Sequence, residues 1–97
     1  MTLYNIYVSF KCLEGKREAF VERVREEGIL AAIREEEGFV RYDYYFSEED
    51  KDLLLLIETW ESYEHQQAHI ARAHMARLRE FKGEYIESTT LGEFCFK

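Results

Sequence analysis

The chain has 97 residues, 46% of them apolar and 15% aromatic, which is enough to build a core and excludes disorder despite 34% charged residues. A chain this short is expected to form one domain over residues 1–97 with a modest core, so association with a second copy is a natural supplement. The 20 Asp and Glu against 13 Lys and Arg, a net charge of −7, repel phosphate backbones, and no basic run interleaves with aromatics, so nucleic acid is not an expected partner.

Met1–Cys12 lacks the basic-then-apolar layout of a secretory leader. The longest aliphatic run, Leu53–Ile57, falls short of the roughly 18 residues needed to span a bilayer. Cys12 and Cys95 are too few for a disulfide scaffold or a thiolate metal site. A soluble cytoplasmic protein without a membrane partner is the expectation.

Leu3–Cys12 alternates, with Tyr4, Ile6, Val8, Phe10 and Cys12 on one face and Asn5, Tyr7, Ser9 and Lys11 on the other, which predicts a strand. Glu14-Gly15 is the following turn. From Lys16 to about Glu37 the pattern is helical, with Phe20, Val24 and Ala31 near one stripe and a break expected near Gly28. Gly38 is the expected stop. Phe39–Phe46 reads as a strand, Ser47–Asp52 as a turn, and Leu53–Trp60 as a strand apolar on both faces, hence central. Ser62 can cap a helix from about Tyr63 to Ala71, which continues, straight or kinked, to about Lys82. Gly83 ends it, and Tyr85–Phe96 is the last strand, with a bulge or bend expected at Gly92.

This β-α-β-β-α-β order is the split βαβ pattern of an α+β, ferredoxin-like sandwich. Its helices cover one sheet face. The opposite parity carries Tyr7, Phe39, Tyr45, Leu53, Leu55 and Ile57, so the second face is also apolar, which argues for a homodimer with packed sheets.

From the first strand to Phe96 the chain resembles the antibiotic biosynthesis monooxygenase domain family of dimeric α+β barrels. The matching pieces are FKCLEGKREAF, then EEEGFVRYDYYFSEEDKDLLLLIETWES, in which Gly38, Arg41-Tyr42 and Glu58-Thr59-Trp60 fall in place, and HIARAHMARL with its spaced histidines. Where the family usually has Pro before its second His, this chain has Ala73. The resemblance identifies the fold well and the reaction poorly, since relatives oxidise quinols and aromatic polyketides, degrade haem or isomerise small molecules.

Several residues are candidates for chemistry. His65 and His69, four apart, share a helix face, but HQQAH carries Gln66 where a zinc-protease motif has its glutamate base, and no third ligand is evident, so no metal is expected. His69 and His74, five apart, would diverge by about 140° on a straight helix, while a kink, as the resemblance implies, brings both toward the sheet. His74 is either a helix-boundary histidine satisfied by a carbonyl or a pocket acid, base or ligand. Asn5, an amide in an otherwise apolar strand, either faces solvent, bonds across the sheet or offers donor and acceptor to a bound ring. Trp60 is either core packing or a pocket wall; the resemblance places the two together in a pocket wall. Glu58, in an apolar strand, is expected to make an ion pair or a dimer-interface bond. Tyr42, Tyr44, Tyr45 and Tyr63 can bury rings and leave hydroxyls for a ligand, most of them being expected in packing or an interface, and Arg41 or Arg72 can hold an anionic group.

Taken with the resemblance, these residues predict a cofactor-independent monooxygenase of a quinol-like or polyphenolic aromatic. His74 or His69 would take the proton, Asn5 stabilise the oxyanion, and Trp60, Tyr42 and Tyr44 hold the ring in a closed, dry hollow. The alternatives are a haem-binding or haem-degrading protein with His74 as axial ligand, and a ligand-binding dimer without turnover.

Overall fold

The computed structural model describes residues 2–95. Strand β1 (Tyr4–Cys12) leads to helix α1 (Arg17–Glu26) and helix α2 (Ile29–Arg34). Strands β2 (Phe39–Phe46) and β3 (Leu53–Trp60) follow, then helices α3 (Tyr63–Ile70) and α4 (Ala73–Lys82), and strand β4 (Ile86–Phe94). The four strands form one antiparallel sheet in the order β2-β3-β1-β4, the α+β ferredoxin-like arrangement. Leu53–Trp60 is interior, as its double-sided apolarity requires.

Both predicted helices are broken pairs. Gly28, at φ 76°, sits between α1 and α2 in the left-handed region that glycine enters without a Cβ penalty. Between α3 and α4 the chain goes extended at Arg72 (φ −69°, ψ 151°), so the helix breaks there without a proline. Ser62 caps α3 by accepting from the His65 N–H at 3.1 Å.

All helices lie on one sheet face. Ile6, Val8, Phe10, Leu54, Leu56 and Trp60 meet Phe20, Val24, Ile29, Ile33, Leu78 and Phe81 there, the strands contributing every second residue. Buried Arg17 fixes the far end by donating through Nη1 to the carbonyls of Ser47, Asp50 and Leu53 at 3.0–3.2 Å, which holds the β2–β3 turn.

Three details differ from the sequence expectation. A register shift opposes Phe39 to Trp60 but Arg41 to Thr59, so Val40 is an extra residue and Phe39 moves onto the helix-covered face, packing edge-on to Trp60 at 5.9 Å. Gly92 is regularly paired with Tyr7; the irregularity lies between Lys11 and Cys12. A Cβ at 92 would meet the Tyr7 ring at 2.6 Å, so the ring lies over the glycine and would have to shift for any other residue. The last strand runs Ile86–Phe94, and Phe96 lies outside the described residues. No helix among the described residues is long and apolar enough to cross a membrane.

Gly38 joins the α2–β2 connection to α3. It has φ +80°, and a Cβ there would lie 2.3 Å from His65 Cγ. Gly38→Ala is expected to cost about 2 kcal/mol or more, from left-handed strain and displacement of the imidazole, seen as a lower urea midpoint than wild type.

Candidate active site

The helix layer and the sheet do not close fully on each other. Between them lies a cleft of about 550 Å³, floored by Tyr4, Ile6, Val8, Phe10, Leu56 and Glu58 and covered by α3 and α4. Tyr63, Ile70 and Leu91 line it and are exposed, so this is a groove with an open rim and not the closed hollow expected from the sequence.

Glu58 stands out in that wall. Strand alternation puts it on the same face as Leu54, Leu56 and Trp60, where it is only 5% exposed. Burial raises its pKa from 4.5 to about 7; the Trp60 indole N–H, donating to Oε1 at 3.0 Å, lowers it in part, and nearby Glu36 adds to the rise. Near neutral pH this carboxyl therefore exists as both acid and anion.

Behind Glu58 stands His69, 1% exposed. Its neighbours on the buried side of α3 follow from helical spacing, since Gln66 is three residues earlier. The imidazole stacks on Trp60 with centroids 4.6 Å apart and meets Tyr42 at 5.7 Å. Burial lowers its pKa, opposed by Glu36, so the ring is neutral at pH 7. With Glu36 Oε2 as acceptor at 2.9 Å, the proton belongs on Nδ1. The Nε2 lone pair then faces Glu58 Oε1, 3.8 Å away.

The same Glu36 oxygen accepts from His74 Nε2 at 2.7 Å. Glu36 Oε1 faces Arg72 Nε at 3.6 Å. The extended residue Arg72 turns α4 so that His69 and His74 converge on Glu36, with His69 also reaching the cleft wall and His74 staying off it. Glu36, His69 and His74 each bring a donor atom within 4.8 Å of the others. Holding a cation would cost both hydrogen bonds and place it beside the Arg72 guanidinium.

Tyr42 and Tyr44 line the cleft, and burial raises both phenol pKa values, so they are neutral donors. The two phenols act on each other's acidity, yet the Tyr44 hydroxyl, sealed from solvent, has no well-formed hydrogen bond.

The structure brings His69, Tyr42 and Tyr44 together on the cleft, with Trp60 packed behind Glu58 and His69. His74 stands behind Glu36, off the cleft wall. Asn5 and Arg41 are on the opposite sheet face: Asn5 pairs with Thr59 and accepts from its hydroxyl at 2.8 Å, and Arg41 also pairs with Thr59. Asn5 and Trp60 therefore do not converge. The amides in the wall are Gln66 and Gln67. Glu58 pairs neither with an arginine nor across the helix-free face. Glu36 went unnoticed because Glu35, Glu36 and Glu37 look alike in sequence, and only the fold singles out the buried one. Glu58 was within reach, since its parity with Leu54 and Leu56 already placed it among core residues.

The family model described as antibiotic biosynthesis monooxygenase matches residues 4–80. The chain belongs to the antibiotic biosynthesis monooxygenase family. Among solved structures, a Nitrosomonas europaea protein provisionally named an antibiotic biosynthesis monooxygenase is 26% identical, with a TM-score of 0.83 over 95% of this chain and 88% of that one. A Bacteroides thetaiotaomicron protein of unknown function, described as a possible oxidoreductase, is 29% identical, with a TM-score of 0.78 over 96% and 98%. A conserved Methanosarcina mazei protein at 18% identity shares the fold, with a TM-score of 0.87 over 100% and 95%. No curated protein matches the chain. Within this family member, the matched segment includes Glu36, Glu58, Trp60, His69 and His74.

Because Glu58 binds its proton more tightly when folded than when unfolded, its contribution to stability is fully present below about pH 4.5 and is lost as pH rises through about 7. The difference is on the order of 3 kcal/mol. Urea unfolding of wild type should weaken by about that amount between pH 4.5 and 8 relative to Glu58→Gln. Emission from Trp60, the sole tryptophan, should titrate near pH 7 in wild type and not in Glu58→Gln.

Proposed function

We propose that the protein is a monooxygenase of a quinol-like or polyphenolic aromatic that works without a bound flavin, haem or metal. What carries this reading is one observation: a carboxyl poised near neutral pH, backed by an oriented imidazole, on the wall of a cleft whose floor is mainly aromatic and aliphatic. The family membership supports the reaction class.

The chemistry needs little more. The Glu58 carboxylate takes a proton from the bound phenol or activated ring carbon, and the electron-rich anion passes electrons to O₂. A C–O bond forms, the resulting peroxide loses water as its O–O bond breaks, and one dihydroxynaphthalene plus one O₂ yields one hydroxynaphthoquinone plus one water. Tyr42 and Tyr44, neutral phenols, donate to the developing oxyanion. His69 Nε2 accepts the proton from Glu58 after a small approach, and Glu36 with His74, whose side chain is 22% exposed, leads toward solvent. Haem fits less well. His74 has its Nε2 on Glu36, and Glu58 stands before His69 Nε2, so neither offers an axial nitrogen to the cleft.

Oxygen uptake on a panel of dihydroxynaphthalenes and quinols should show turnover, with kcat lowered by about 100-fold or more in Glu58→Gln and His69→Ala. Silence across the panel would end this reading.

We also propose a homodimer through the helix-free sheet face. It carries Tyr7, Leu53, Leu55 and Ile57, with Tyr45 exposed beside them, and it holds the buried Asn5–Thr59 pair. Such a face suits an isologous contact. Light scattering should give a dimer for wild type and a folded monomer for Ile57→Asp.

A further inference from the structure

Among the charged groups lining the cleft, one has neither a hydrogen-bond nor an ion-pair partner among the described residues. Glu93 accepts from the Tyr4 hydroxyl at 3.2 Å, Arg79 donates to the Ile70 carbonyl at 3.2 Å, and Glu58 accepts from Trp60. Lys82, the last cleft-lining residue of α4, has no hydrogen-bond or ion-pair partner among the described residues. It is half-buried, its ammonium 5.3 Å from the centre of the Phe10 ring. Burial alone lowers its pKa, with no carboxylate acting on it. Arg17, Arg23, Arg25 and Arg77 all pair with glutamates.

The strand register places this ammonium relative to Glu58. Glu58 is opposite Ile6, and Lys82 lies over Phe10, four residues along the same strand. At about 3.3 Å per residue, the two rows are roughly 13 Å apart. Val8, Leu56 and Leu91 fill the row between them, with Tyr44 paired to Leu56 at its edge. The groove thus has a carboxyl at one end, an apolar middle and an ammonium at the other end.

We infer that Lys82 forms an anion subsite, and that the cleft takes an elongated two- or three-ring phenol bearing a carboxylate at the end remote from the reacting ring. This rests on reading the Glu58 end as the reacting end. The flat apolar floor accepts the rings, and a carboxylate would supply the charge partner that the chain withholds from Lys82. The apolar stem of Lys82 lies along the floor, so Met can replace it in shape without the charge.

Calorimetric binding at pH 7 of 6-hydroxy-2-naphthoate and of 2-naphthol, which lacks the carboxylate, tests the subsite without requiring turnover. Wild type should bind the acid at least about 10-fold more tightly than the naphthol. Lys82→Met should abolish that preference, Lys82→Arg should keep most of it, and 2-naphthol affinity should stay within about 2-fold in all three, which also shows that the variants are folded. Equal binding of the two ligands by wild type, a preference that survives in Lys82→Met, or no binding of either ligand would overturn the subsite. A Lys82-dependent preference without oxygen uptake on any carboxylated quinol would leave the subsite standing and remove the oxygenase reading.

Discussion

A single carboxylate oxygen, Glu36 Oε2, holds two imidazoles, at 2.9 Å from His69 Nδ1 and 2.7 Å from His74 Nε2. That pair of bonds ties the α2–β2 connection to both helices of the second half of the chain. It also decides the tautomer of His69 and therefore what faces Glu58. Removing Glu36 would leave a neutral ring free to place its proton on either nitrogen, and the cleft would lose its defined acceptor. Buried polar clusters of this kind contribute orientation more than stability, because each bond exchanges for one to water on unfolding.

Electrostatics in the cleft follow from burial more than from charge pairing. Glu58 is raised because apolar neighbours replace water, and the Trp60 indole only moderates the effect. His69 is lowered for the same reason. One desolvated environment thus moves an acid and a base toward each other, which lets a proton pass between them at small cost. Elsewhere the acidic excess of the chain is spent on exposed pairs such as Glu27 with Arg23 and Arg77, where the two guanidinium groups hold the carboxyl down to about 2.

Much of the architecture was legible in the residues. Alternation in Tyr4–Cys12 and Leu53–Trp60, the glycines at 28 and 38 and the Ser62 cap mark element order and the first helix break, while the second, at Arg72, has no glycine or proline to announce it. The site was legible only in part. Tyr42, Tyr44 and His69 share the cleft because period-two and helical spacing carried them to the right faces. Asn5 and Trp60 were separated by parity, which one-residue register decides and which the resemblance could not overrule. Glu36 depends on a long-range meeting of the α2–β2 connection with α3 and α4, and no local pattern marks one glutamate of three.

The extra residue at Val40 has a consequence of its own. On its N-terminal side Phe39 faces Trp60, and on its C-terminal side Tyr42 and Tyr44 face Glu58 and Leu56. Were Val40 paired regularly instead of bulged out, one of those two sets would have to turn its rings to the other side of the pleat. A relative lacking this one position would pair regularly and keep both sets on the helix side, so the irregularity is what reconciles an odd spacing with a groove furnished from both sides of it.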